Sequence, residues 1–196
     1  MKILGVTGSS GSGKTTLSNI LSKRKDVKII DADKIARQIS QIGNDYLLAI
    51  KNTFGKDVFL EDGNLNRKAL AEKIYTSSEA LEKLNILTFD HVVKEIICEI
   101  ENTKDRNIKY IIIDAPLLFE SELDKRCDYT LSLIANKELK IQRICARDNI
   151  TEETAQKRLS IQQTDEFYKK NSDFIIENNE DCDLKLEIEK IFKKIN

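Results

Sequence analysis

The chain has 196 residues, of which 40% are hydrophobic and 33% are charged, and its formal net charge is −1. This composition is typical of a soluble globular α/β protein and excludes a disordered chain. The near-zero charge gives no reason to expect a nucleic-acid or membrane partner, and no apolar run approaches the roughly 20 residues that cross a bilayer. The four cysteines are scattered and there is one histidine, so we expect no structural zinc site. We expect no signal peptide before the first strand, and a cytoplasmic location.

The segment Gly8–Thr15 matches the phosphate-loop spacing G-x-x-x-x-G-K-S/T. It follows a predicted buried strand, Lys2–Val6, and precedes a predicted helix on which Leu17, Ile20 and Leu21 share one face. Glycines let successive backbone N–H groups surround a phosphate chain, and the helix N-terminus favours the same anion. The sequence therefore predicts nucleotide binding. A glycine-rich turn that enters an ordinary helix is the alternative.

Lys14 is predicted to contact the β- and γ-phosphates, and the Thr15 hydroxyl to hold a magnesium ion that bridges them. The predicted phosphate-binding residues of the loop are Gly8, Gly11, Ser12, Gly13, Lys14, Thr15 and Thr16.

Further β-like runs at 27–30, 109–113, 129–134 and 174–176 predict a five-stranded parallel sheet flanked by helices. We expect a single P-loop domain whose core comprises about 1–42, 108–136 and 171–196. Between these parts lie a predicted helical substrate-binding insertion, about 43–107, and a predicted helical lid, about 137–170. Asp183 is the expected cap of the final helix.

Carboxylates follow two of the predicted strands, where ligands bind in open α/β sheets. Asp33 could accept the proton of an attacking hydroxyl, or it could cap the helix that begins at Lys34. Asp114 could orient the shell of a magnesium ion, or it could satisfy N–H groups of the following turn. The sequence alone leaves both pairs of alternatives open.

Three arginines (Arg143, Arg147 and Arg158) lie in the predicted lid, the first two at a spacing that places them on one helix face. A polar turn at 148–151 separates the two helices, and Thr151 is the expected cap of the second. Guanidinium groups match phosphate oxygens, so a closing lid could deliver them to a nucleotide. A solvated helical hairpin with surface ion pairs, such as Arg147 with Asp148, is the alternative.

Nearly end to end, the chain resembles the dephospho-CoA kinase family. The residues that carry the resemblance are GVTG at 5–8, GSGKTT at 11–16, IDAD at 30–33 with IAR at 35–37, FG at 54–55, DGNLNR at 62–67, PLLFE at 116–120, Arg143, Arg147-Asp148, Arg158 with Gln162, and 173–178.

The resemblance implies a nucleoside-monophosphate-kinase-like fold and phosphorylation of the ribose 3′-hydroxyl of dephospho-CoA by ATP with Mg²⁺. It implies that Asp33 is the catalytic base and that Lys14 and Arg143 are catalytic. The other site residues that we expect are Arg143 and Arg147 for the ATP phosphates, Asn178 for the adenine, Asp33, Arg67 and Leu117 for the acceptor, and Thr15 and Asp114 for the metal. We expect a monomer whose partners are ATP and dephospho-CoA.

The chain departs from the family pattern at four places. Thr88-Phe89 replaces the usual His-Pro, Asn66 replaces Asp before Arg67, Lys140 replaces Gln, and Ala115 replaces a bulkier residue. These changes concern mainly the CoA side of the predicted site and leave the phosphate-transfer residues unchanged.

Two rival functions can be stated. One is another small-molecule P-loop kinase that acts on a nucleoside monophosphate or a sugar acid. The other is a GTPase-like regulator, which the sequence disfavours: 136–139 reads NKEL without the base-pairing aspartate, and 114–117 reads DAPL without the glycine of D-x-x-G.

Overall fold

A computed structural model describes residues 1–41, 44–103, 105 and 107–195. The strands are β1 (Lys2–Gly8), β2 (Val27–Asp31), β3 (Tyr110–Asp114), β4 (Tyr129–Ile134) and β5 (Phe174–Glu177). The α-helices are α1 (Lys14–Leu21), α2 (Ala32–Ile39), α3 (Asp45–Phe54), α4 (Arg67–Tyr75), α5 (Ser78–Glu101), α6 (Lys137–Asp148), α7 (Glu152–Ser160), α8 (Asp165–Asn171) and α9 (Leu184–Ile195). Short 3₁₀ turns cover Lys56–Val58 and Leu123–Arg126.

The strands form one parallel sheet in the order β2-β3-β1-β4-β5, which confirms the predicted sheet with small differences in strand bounds. Every residue of β3 is buried, as expected for a parallel strand covered on both faces. In the pairing of β1 with β3, Val6 lies opposite Asp114, so the carboxyl end of β3 is beside the strand that enters the phosphate loop. This register brings Asp114 close to the loop.

The chain divides into two compact units, and the first comprises 1–30 and 105–196. Its core lies between the sheet and the helices α1 and α9. There Leu17 and Leu21 of α1 pack in the same cluster as Phe192, whose ring stacks on Tyr110. The predicted cap of α9 is confirmed, since Asp183 accepts a hydrogen bond from the backbone N–H of Leu186.

The second unit, 31–104, is helical: α2, α3 and α4 each contact the long helix α5. A turn at Asp62-Gly63 is part of a small hairpin that closes with an antiparallel bridge between Phe59 and Leu65. The boundary predicted at 42–43 lies outside the described residues. Among the residues that are described, no helix combines the length and apolar character needed to span a bilayer.

Candidate active site

The phosphate loop joins β1 to α1 in a conformation that only glycine adopts easily. Gly11 and Gly13 have φ angles of 78° and 101°, in the left-handed region. A Cβ on Gly11 would lie 2.6 Å from the backbone oxygen of Lys140, and one on Gly13 would collide with the Asn178 carboxamide. These two glycines are therefore required both by backbone geometry and by the close approach of neighbouring elements.

Lys14 and Ser18, one turn apart on α1, both hydrogen-bond to the carboxylate of Asp114. Lys14 Nζ donates to Oδ1, and Ser18 Oγ donates to Oδ2 at 2.6 Å. Both oxygens of the Asp114 carboxylate therefore accept hydrogen bonds from α1 side chains. Ser18 was missed by the sequence analysis, although its spacing from Lys14 places both on one face of α1.

Arg143 and Asn178 contact the loop backbone from two different elements. Arg143 Nη1 donates to the carbonyl oxygens of Gly11 at 3.1 Å and of Asn178 at 3.0 Å. The buried Asn178 side chain donates from Nδ2 to the carbonyl oxygen of Ser12 at 2.7 Å. Arg143 therefore lies beside the phosphate loop, and its contact with the ATP phosphates stays a prediction. The contact of Asn178 with the loop backbone was not predicted.

The loop also contains buried hydroxyl groups with unused hydrogen-bonding capacity. Within the part of the chain that the structure describes, Ser9 Oγ and Ser12 Oγ have no hydrogen-bond partner. Such groups are costly to bury, and an oxygen-rich ligand would satisfy them. Thr15 and Thr16 are exposed at the start of α1, and half of the Leu117 surface is exposed after β3. Polar hydroxyls, loop amides and two nearby cations suit a polyphosphate.

The other two arginines of the predicted lid are paired with one aspartate. Arg147 Nε donates to Asp148 Oδ1 at 2.8 Å and its Nη2 to Oδ2 at 2.8 Å, and Arg158 Nη1 contacts the same carboxylate. The Arg147 hydrogen bonds, followed by that of Arg158, hold the pKa of Asp148 well below its usual range. The helices α6 and α7 and the Thr151 cap are confirmed, and the ion pair named in the hairpin alternative is present. A lid function stays a prediction.

Lys140, the departure from the family pattern in α6, forms a mostly buried ion pair. Its Nζ lies 2.8 Å from Asp165 Oδ1 at the start of α8, and the Lys140 side chain is 9% exposed. The helix α8 itself was not predicted. Because the backbone of Lys140 also packs against Gly11, this pair joins α8 to the part of α6 that touches the loop.

In the second unit, the helix cap at α2 is Asp31 rather than Asp33. Asp31 Oδ1 accepts from the backbone N–H of Lys34 at 2.9 Å, and Asp33 lies exposed in the first turn. The capping alternative for Asp33 is therefore wrong. Asn66 caps α4 by accepting from Ala69 N, a role that aspartate fills equally well, and Arg67 is the exposed first residue of the helix.

Comparison with known proteins identifies the family. The model of the Dephospho-CoA kinase family matches residues 2–183. Dephospho-CoA kinase of Fusobacterium nucleatum is 39% identical over 193 residues, covering 98% of this chain and 94% of that protein. The Listeria innocua enzyme of the same name is 38% identical over 179 residues, covering 91% and 89%.

A solved structure supports the same assignment. Dephospho-CoA kinase from Campylobacter jejuni superposes with a TM-score of 0.69 at 27% identity, covering 98% of this chain and 96% of that one. The family match, the curated relatives and the shared fold agree over most of the chain. The chain belongs to the dephospho-CoA kinase family.

Proposed function

We propose that the protein transfers the γ-phosphoryl group of ATP to the ribose 3′-hydroxyl of dephospho-CoA, giving coenzyme A and ADP. The observation that carries this proposal is the phosphate loop, with Lys14 and Arg143 beside it, in a chain of this family. The buried, unpartnered hydroxyls of Ser9 and Ser12 further support an oxygen-rich ligand within the described loop.

In this reaction, the hydroxyl oxygen of the acceptor attacks the γ-phosphorus while the bond to the β–γ bridging oxygen breaks and ADP leaves. Asp33 takes the proton of the hydroxyl, and Lys14 and Arg143 neutralise the charge that develops on the transferred group. Such catalysis depends mainly on position and charge. Arg67 and Leu117, both exposed, are proposed to bind the acceptor, and Asn178 to bind the adenine.

Thr15 and Asp114 are proposed to hold a magnesium ion. Both offer the hard oxygen ligands that Mg²⁺ prefers, and Asp114 already lies against Lys14. Over the described residues, no group of three or more His, Cys, Asp or Glu side chains forms a metal cage. Mg²⁺ usually keeps waters and nucleotide phosphates as most of its ligands, so one or two oxygens from the protein suffice. When bound, the ion would neutralise phosphate charge.

We further propose that the protein acts as a cytoplasmic monomer. Its four cysteines are free, which suits a reducing compartment.

A panel of acceptors tests the function. ADP release is measured with ATP and dephospho-CoA, nucleoside monophosphates, shikimate or no acceptor. We expect the turnover rate with dephospho-CoA to exceed the rate with every other acceptor by at least about 10³-fold. An acceptor that lacks part of dephospho-CoA leaves hydrogen-bonding groups of the site unpaired. Turnover with another acceptor and none with dephospho-CoA would support the rival small-molecule kinase. GTP binding without transfer to any acceptor would support the regulator.

Arg143→Ala is predicted to reduce activity more than Arg147→Ala. Arg143 touches the loop carbonyl of Gly11, so its removal should lower kcat/KM for ATP by about 10²-fold. The Arg147 guanidinium is already paired with Asp148, so its loss should lower kcat/KM for ATP by less than about fivefold. Steady-state kinetics and melting temperatures of both variants check this. Full activity of Arg143→Ala with a lowered melting temperature would instead favour a structural role in the helical hairpin.

A further inference from the structure

The side chain of Gln162 makes two hydrogen bonds with a single residue of the phosphate loop. Its Oε1 accepts from the backbone N–H of Ser10 at 2.9 Å, and its Nε2 donates to Ser10 Oγ at 3.0 Å. A carboxamide uses both its acceptor and its donor here, which fixes the backbone and the hydroxyl of Ser10 together. Both bonds are partly buried, where competition from water is reduced.

Gln162 is itself held between two helices. Its backbone N–H donates to the carbonyl oxygen of Leu159 at the end of α7, and Thr164 caps α8 by accepting from Phe167 N. The next residue of α8, Asp165, pairs with Lys140 of α6. Hydrogen bonds and an ion pair therefore hold the connection between α7 and α8 at both ends. From this connection the Gln162 side chain contacts Ser10.

Three consecutive loop residues are thus each held by a side chain from a different element. Ser10 is held by Gln162, Gly11 by Arg143, and the carbonyl of Ser12 by Asn178. A loop rich in glycine loses much conformational entropy when it becomes ordered, so contacts that order it before the ligand arrives should raise affinity.

We propose that Gln162 is a positioning residue that fixes the phosphate loop for ATP through Ser10. The proposal deepens the proposed function, on which it rests, but it concerns nucleotide binding and not the acceptor. Gln162 touches the loop and not the reacting atoms, so its effect should appear as affinity for the nucleotide.

The test is the Kd for MgATP, measured by calorimetry on the full chain. Gln162→Met keeps the length of the side chain and removes both hydrogen bonds, and it should weaken MgATP binding about tenfold. Ser10→Ala removes one of the two bonds and should weaken binding about threefold. The double variant should bind about as well as Gln162→Met alone, since the serine hydroxyl then has no partner to lose. Gln156→Met, at an exposed position of α7, is the matched control and should bind like the unsubstituted chain.

The KM values for ATP and for dephospho-CoA, measured separately, supply a second readout. Gln162→Met should raise KM for ATP about tenfold and leave KM for dephospho-CoA within about twofold. A purely structural role would instead lower the melting temperature and the active fraction while the Kd of the folded protein stayed the same. An unchanged Kd, an equal effect of Gln156→Met, or additive effects of Ser10→Ala and Gln162→Met would each overturn the proposal. Because calorimetry needs no acceptor, failure of the dephospho-CoA assay would refute the function without deciding the role of Gln162.

Discussion

Asp33→Asn is expected to lower kcat about 10³-fold while the Kd for ATP changes less than about threefold. The amide has nearly the shape of the carboxylate but cannot take the proton of the attacking hydroxyl. The helix cap should stay intact, because Asp31 and not Asp33 caps α2. The substitution also removes one negative charge from the first turn of a helix, which is worth about 0.3–1 kcal/mol.

Asp31→Asn is the matched control, since it makes the same chemical change two residues earlier on the same helix end. Asparagine caps helices as well as aspartate does, so this variant should keep its fold and its turnover within about threefold. Single-turnover rates, MgATP calorimetry and melting curves separate chemistry from binding and folding. An unchanged kcat for Asp33→Asn, or an equal loss in Asp31→Asn, would remove Asp33 from its role as the base.

The sheet and the phosphate loop could be predicted because their signals are local. The β3 run, 110–114, is apolar at almost every position, as a strand buried on both faces must be, and the loop is recognised by the spacing of its glycines and Lys14. The order of the strands brings Asp114 beside β1, which agrees with the prediction that polar groups gather at the carboxyl edge.

Contacts between side chains that are far apart in the sequence could not be predicted. Asn178 and Ser12 are separated by 166 positions, and no local pattern indicates that the amide contacts the loop backbone. Lys140 looks like an ordinary exposed helix residue until Asp165 is placed beside it. For Arg147, spacing predicted the helix face correctly, but the choice between a phosphate and the neighbouring Asp148 depends on geometry.

The start of helix α2 also could not be predicted from the sequence, and it decides which residue caps the helix. Asp31 and Asp33 are both good caps, but only Asp33 was considered as one from the sequence. The structure starts α2 at Ala32, which makes Asp31 the cap. This result supports Asp33 as the base only indirectly, by removing the alternative that it is the helix cap.

Gly11→Ala is expected to lower kcat/KM for ATP by at least about 10³-fold. The new methyl group would lie 2.6 Å from the carbonyl oxygen and 2.9 Å from the Cα of Lys140, and backbone atoms cannot move aside as a flexible side chain could. The loop would have to shift instead. A displacement of about 1 Å can cost 10²-fold in rate, and here it would misplace several phosphate-binding groups together. Overpacking should also reduce stability by about 1–3 kcal/mol, in addition to the backbone strain.

Gly63→Ala is the control that separates the backbone strain of Gly11→Ala from its collision with Lys140. Gly63 has φ of 84°, close to the 78° of Gly11, but a Cβ there meets no atom within 4 Å. Both variants therefore lose about 1–2 kcal/mol from the left-handed backbone, and only Gly11→Ala also displaces the loop. Denaturant unfolding, MgATP calorimetry and kinetics on the pair should show similar strain but a loss of ATP binding in Gly11→Ala alone. If Gly11→Ala bound ATP as Gly63→Ala does, the close packing of α6 on the loop would not be what shapes the phosphate site.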